Sequence, residues 1–350
     1  TYGLTSGIAR TREAEVAHCE VSQNIARRLG LGGAVEAAMG QIYERWDGRG
    51  LPHKLKGEAL AQSIRLVHVA QDAEVFARLG GVETALNAAR KRSGGFYDPT
   101  ITAYFVRHGA RLLAELDGES IWEKVLALEP QPQHVLSQAQ LDTAVRAIAD
   151  FTDLRSRYTI GHSSAVAELA FAAAQRCGMS TDEAAQIRRA GYLHDVGRTA
   201  VSLQIWEKSG ALHSAEWERV RLYPYYTERI TVRSPKLAPL GALAGLHRER
   251  LDGSGYHRGM PAALLPAGAR LLAATDVYQS KLEARAYRPS LSAEQAADEL
   301  RQQVRQGKLD SSAVEAVLAS VSGERTATRR AYPANLSERE VEVLRLMTQG

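Results

Sequence analysis

Apolar residues recur three and four positions apart through long Ala-, Leu-, Arg- and Glu-rich segments, and alternating β-branched runs are nearly absent. That spacing belongs to helices that bury one face, so the expected fold is all-α. The stretch after Ser180-Thr181-Asp182-Glu183 is the clearest case. Ser180 can accept from the Glu183 N–H while Glu183 reaches back to the Ser180 N–H, so a helix should start there. Ala184, Ile187, Ala190, Gly191 and Leu193 supply its buried face, and Gly197 suits a glycine exit. Further helices are expected from about Glu13 to Leu29, from Ala34, through Ile64 to Leu79, from Ile101 to Leu116 and from about Gln140 to Ser156. Gly30 to Gly33 and Gly94-Gly95 interrupt them.

The loop Glu44-Arg45-Trp46-Asp47-Gly48-Arg49-Gly50 recurs as Glu249-Arg250-Leu251-Asp252-Gly253-Ser254-Gly255, at a constant offset of 205 positions. The register holds on both sides, setting His18 on Tyr223, Ile42 on His247, Arg65 on Arg270 and Gln71 on Asp276. One register over more than fifty positions implies two copies of one helical unit, the first beginning midway. The expected organisation is a partial unit over 1–125, a complete unit over 138–322, a linker over 323–334 and a further element over 335–350. Leu126 to Ser137, with two prolines, reads as a connector.

Length and charge narrow the classes. A chain of 350 residues can hold two cores, and 45% hydrophobic with 24% charged residues is ordinary globular composition. No apolar run reaches the length of a membrane span, so no membrane partner is expected. A net charge of +4 permits nucleic acid without implying it. Cys19 and Cys177 have neither metal nor disulfide spacing, which suits a reducing cytoplasm. The chain opens at Thr1 and closes at Gly350 inside a motif, and is expected to be a fragment.

The chemistry gathers in the second unit. His194-Asp195 places an imidazole and a carboxylate on adjacent positions at a helix end. His162 at another helix start and Asp276 on a later helix complete a mixed nitrogen and oxygen set. Such a set suits one divalent ion, Mn, Fe, Zn or Mg, with open positions for water and a phosphate oxygen. The thiolates of structural zinc sites are missing. Catalysis is assigned to Asp195, as a ligand, and to Arg198, whose guanidinium can clamp a phosphate oxygen.

From roughly Tyr158 to Leu318 the chain resembles the HD-GYP branch of the HD metal-dependent phosphohydrolases. The resemblance rests on His162, Leu193-His194-Asp195-Val196-Gly197, Glu249 to Tyr256, Asp276-Val277-Tyr278 and Arg285-Ala286-Tyr287-Arg288-Pro289. It implies an all-helical domain that hydrolyses cyclic di-GMP or a related cyclic dinucleotide at two or three metals, with His162, His194, Asp195 and Asp276 as ligands of the core metal. The chain departs from the family at Tyr223-Pro224, where a histidine precedes the proline, and at His247-Arg248, where a histidine pair stands. Two of three histidines expected around a second metal are thus replaced. Tyr158, Arg198 and His257 replace the family's glutamate, lysine and signature proline. A single ion is therefore expected, with Arg248 as a fixed positive charge in the second position, pairing a phosphate or a freed carboxylate. His247, Arg248, Tyr223, Asp252 and Arg288 are candidates for contacts around the ligands or the substrate.

The first unit resembles the same family with Ile42, Tyr43 and Gln71 at liganding positions and only His18 retained, so a structural or dimerising role is expected, with a homodimer as the assembly. Asn335 to Gly350 resembles the opening of a LuxR-type helix-turn-helix domain, on Leu336-Ser337-Glu338-Arg339-Glu340-Val341 through Met347. The recognition helix is absent, so DNA is expected as a partner only through residues this chain lacks. Two functions follow. The chain is a phosphohydrolase of a phosphorylated small molecule or nucleotide, or it is a weak or inactive ligand sensor that controls an attached DNA-binding domain.

Overall fold

The computed structural model describes residues 2–116, 121–129 and 135–322, with side chains from residue 12 onward except that of residue 14. The expected linker and LuxR-like segment lie outside the described residues. Among the described residues the protein is all-helical, and β structure is limited to isolated bridges such as Arg285 with Arg288. The chain divides into two compact units at Gln140 and Leu141.

The first unit holds α1 (Tyr2–Arg28), α2 (Gly33–Met39), α3 (Gln62–Arg92), α4 (Pro99–Ala114) and α5 (Ile121–Ala127). The Glu13–Leu29 helix thus begins earlier than its apolar period suggests. Helix α3 runs past Leu79, and the glycine break there is internal: Gly81 sits at φ +79°, a conformation open to glycine. Asp98 caps α4 by accepting from the Thr100 and Ile101 N–H groups, with Pro99 in the first turn. The core gathers Val69, Leu86, Tyr97 and Phe105.

The second unit is built on α6 (Gln138–Leu154), which starts just before the boundary, α7 (His162–Arg176), α8 (Thr181–Leu193), α9 (Leu203–Trp206) and α10 (Ser214–Arg221). It continues through α11 (Tyr223–Thr231), α12 (Ala238–Ala244), α13 (Ala267–Leu282), α14 (Ala293–Arg305) and α15 (Ser311–Val321). The Ser180–Glu183 capping box is present, and the five expected apolar positions of α8 are buried. Small residues set the core's spacing. A Cβ on Gly191 would lie 2.8 Å from the Ala167 backbone, so α7 and α8 touch almost backbone to backbone. Ala167, Ala170, Ala173 and Ala174 of α7 are all fully buried in the core.

Local contacts recur at the offset of 205. Helices α2 and α12 match end for end, as do the starts of α3 and α13. Glu44 and Glu249, both buried, each accept two loop N–H groups: His53 and Leu55 at 2.6 and 3.0 Å, Arg258 and Met260 at 3.2 and 3.0 Å. Gly50 and Gly255 each leave 2.4 Å for an added Cβ before it meets the Cα of that glutamate. Arg65 pairs with Asp98 at 2.8 Å, and Arg270 pairs with Asp310, the cap of α15, at 3.0 Å.

Candidate metal centre

The turn at Gly178, φ +72°, folds α8 back along α7. The first residue of α7 and the residue closing α8 therefore meet at one end, with the His162 and His194 rings 5.3 Å apart. Asp195 follows directly, and Asp276 enters from the middle of α13. Asp276 Oδ1 lies 3.3 Å from His162 Nε2 and 3.7 Å from His194 Nε2, and Asp195 Oδ2 lies 3.8 Å from His162 Nε2. One donor each from His162, His194 and Asp195 fall within 4.8 Å of one another. All four side chains are at most 1% exposed.

Their orientation leaves the right atoms free. His194 Nδ1 donates to the Gly191 carbonyl at 2.7 Å, so Nε2 carries the lone pair. His162 Nδ1 faces Glu283 at 2.9 Å, which likewise turns Nε2 inward. His162 Nε2, His194 Nε2, Asp195 Oδ1 and both Asp276 carboxylate oxygens are buried without a hydrogen bond. Buried polar atoms seldom stay unpaired, and two imidazoles with two carboxylates fit a divalent cation. Burial opposes charge on His162, yet Glu283 and Asp276 raise it to about 10. Burial also opposes the Asp276 carboxylate, yet Arg248, His162 and His194 hold it well below the usual range.

Arg198 lies 3.3 Å from Asp195 Oδ2, and its guanidinium stacks 3.9 Å above the Trp206 ring. It thus braces the Asp195 carboxylate from the side. Gly197 is not a left-handed exit. It sits in a 3-10 turn, Val196–Ala200, where an added Cβ would fall 2.0 Å from the Tyr223 carbonyl oxygen. Its need for glycine is steric.

Beside the four donors stands a closed chain of bonds. His247 Nδ1 donates to the Ala244 carbonyl at 2.7 Å, so Nε2 is the acceptor of a hydrogen bond from the Tyr223 hydroxyl at 2.6 Å. Arg248 Nε donates to the Tyr223 oxygen at 2.6 Å, and its Nη1 reaches Asp276 Oδ2 at 3.3 Å. Burial, reinforced by His194, drops His247 to about 3, so the ring is neutral. Arg248 is the freed carboxylate's partner, one of the two roles expected of it.

A cavity of about 330 Å³ opens next to Arg248, lined also by Arg250, Ser254, Tyr256, Gln302 and Lys308. The spacing of the sequence did not single out Arg250 or Lys308 for it. Glu283 and Trp206 were missed as well, since nothing local in the sequence links either to the residue it supports. Two expected site residues stand elsewhere. Asp252 is exposed and spends its carboxylate on the Ser254 N–H and hydroxyl. Arg288 bonds the carbonyls of Ser280, Glu283 and Pro289, tying its own loop.

Residues 146–313 match the model of the HD domain family. Over 296 residues the chain is 32% identical to 3'3'-cGAMP-specific phosphodiesterase 3 of Vibrio cholerae, covering 84% of this chain and 64% of that protein's length. It is 29% identical over 175 residues to the cyclic di-GMP phosphodiesterase response regulator RpfG of Xanthomonas campestris, covering 49% of this chain and 46% of the relative. The crystal structure of a cyclic GMP-AMP-specific phosphodiesterase of Vibrio cholerae, V-cGAP3, superposes with a TM-score of 0.64 at 28% identity, covering 90% of this chain and 74% of that one. No helix among the described residues is long and apolar enough to cross a membrane. The region from 146 to 313 is therefore similar to the HD domain family, in a chain similar in sequence to cyclic GMP-AMP and cyclic di-GMP phosphodiesterases and in fold to a cyclic GMP-AMP-specific one.

Proposed function

We propose that the chain is a metal-dependent phosphodiesterase of HD-GYP type acting on a cyclic dinucleotide, with one divalent ion held by His162, His194, Asp195 and Asp276. The observation that carries this reading is the set of buried, unbonded donor atoms converging on one point. An ion bound there supplies Lewis acidity toward a phosphoryl oxygen and lowers the pKa of a water. Arg248 adds a fixed cation beside Asp276 and faces the cavity with Arg250 and Lys308, where phosphate oxygens are neutralised. Arg198 steadies Asp195, and Glu283 fixes the His162 ring. Because Tyr223 occupies the His247 lone pair, that imidazole is closed to a second ion. Losing one Lewis acid removes much of the charge stabilisation a diester needs, so turnover is slow. Purified protein loaded with manganese or iron is expected to convert cyclic GMP-AMP or cyclic di-GMP to a linear product, and no conversion above a metal-free control would sink the enzyme reading.

The bond from Tyr223 to His247 favours a second reading, a ligand sensor with little turnover. Tight binding of the same dinucleotide without hydrolysis would select it. The 205-residue recurrence supports two copies of one unit, and the sequence from Leu336 to Met347 supports a C-terminal DNA-binding domain to which either activity is coupled.

A further inference from the structure

Each unit carries a cation-lined cavity at a corresponding place in its scaffold. In the first unit a cavity of about 380 Å³ is lined by Arg45, Lys91, Arg92, Gly95 and Phe96. Arg45 precedes Arg250, which lines the cavity of the second unit, by the offset of 205. The backbone wall agrees. The Trp46 N–H donates to the Phe96 carbonyl at 3.2 Å, and the Leu251 N–H, 205 positions on, donates to the Lys308 carbonyl at 3.1 Å. Phe96 and Lys308 each line the cavity of their own unit.

The surroundings differ. Ile42, Tyr43 and Gln71 stand at the places of His247, Arg248 and Asp276, and among the described residues of the first unit no cluster of metal donors forms. The cations remain. Arg45 Nη2 is bound to Asp47 at 2.7 Å, but its Nε is buried without a hydrogen bond. Lys91 has no carboxylate partner among the described residues. Arg92 donates to Asp72 and to the Tyr97 hydroxyl oxygen, which fixes its guanidinium in the wall. Phe96 adds an aromatic ring, and the volume lies within the roughly 300–1,000 Å³ of small-molecule sites.

We propose that this cavity binds a phosphorylated nucleotide without hydrolysing it. Lys91 takes a phosphate oxygen beside the guanidinium groups of Arg45 and Arg92, and Phe96 borders the base. A cationic cavity that lacks metal donors beside it gives occupancy in place of turnover. The proposal does not require the second unit to be an active enzyme.

The test is calorimetric titration of the full chain, stripped of metal by a chelator, with 3'3'-cyclic GMP-AMP. Lys91 is exposed, so Lys91→Glu should leave the melting temperature unchanged while weakening one binding event at least about tenfold. Lys308→Glu, in the other cavity, should leave that event intact. A single event that only Lys91→Glu weakens supports the proposal equally. No binding, or binding that Lys308→Glu removes and Lys91→Glu does not touch, overturns it. Hydrolysis by the metal-loaded chain is scored separately, so loss of the enzyme reading leaves this result interpretable.

Discussion

Where the second unit sets His247 and Arg248, the first sets Ile42 and Tyr43, and the positions occupied by Tyr223 and Arg248 are those of His18 and Tyr43. Both of those pairs are hydrogen-bonded, His18 to Tyr43 at 2.8 Å and Arg248 to Tyr223 at 2.6 Å, with the chemistry exchanged. Asp72, one residue past the place of Asp276, is spent on Arg92 and Tyr97 and is not free to serve as a ligand. Yet the glutamate that holds the glycine-rich loop is kept in both units. So are the glycines Gly40 and Gly245, against Gln23 and Glu228. The contacts that shape the loop are therefore separable from the donors that make a metal site.

Five variants break or sharpen this contrast. The largest effect is expected from Asp195→Ala, which removes a donor and should lower hydrolysis of a cyclic dinucleotide at least about a hundredfold, read as initial rate at saturating metal. Next is the double change Tyr223→His and Arg248→His. It frees the His247 Nε2 and supplies two imidazoles, so bound metal should rise from one ion per chain to two. A chain that still holds one ion would show that the Tyr223 bond is not what excludes the second.

Glu283→Gln keeps the volume and removes the carboxylate that orients His162, so metal affinity should fall by about 10- to 100-fold in a chelator competition. An unchanged affinity would mean that packing alone fixes the ring. The smallest effects concern the shared loop. Glu44→Gln and Glu249→Gln each weaken two charge-assisted bonds, and each should cost about 1–3 kcal/mol in chemical denaturation of its own unit. Only the second should disturb hydrolysis, because only its loop carries Arg248 and Arg250 beside the donors.

What the sequence made legible was local. The capping box at Ser180, the buried face of α8 and the His194-Asp195 pair all lie within a few turns of chain, where periodicity and spacing act directly. His162 and Asp276 were legible as candidate donors on neighbouring helices, and the motif resemblance matches both. The supports were not, because Glu283 meets His162 and Trp206 meets Arg198 only after loops have folded back. Gly197 was misread for a related reason: the atom that excludes a side chain there is the Tyr223 carbonyl oxygen, distant in sequence. Asp252 and Arg288 sit in conspicuous motifs, but their polar atoms are taken up by neighbouring hydroxyl and backbone groups. A motif residue can serve its loop in place of the ligand.

The central claim is that four donors hold one ion while Tyr223 and Arg248 close the neighbouring position. Elemental analysis of the full chain, reconstituted with manganese or iron and freed of excess, tests it most directly. The account predicts about one ion per chain. Two ions would contradict the closure by Tyr223 and Arg248, and none would contradict the site itself.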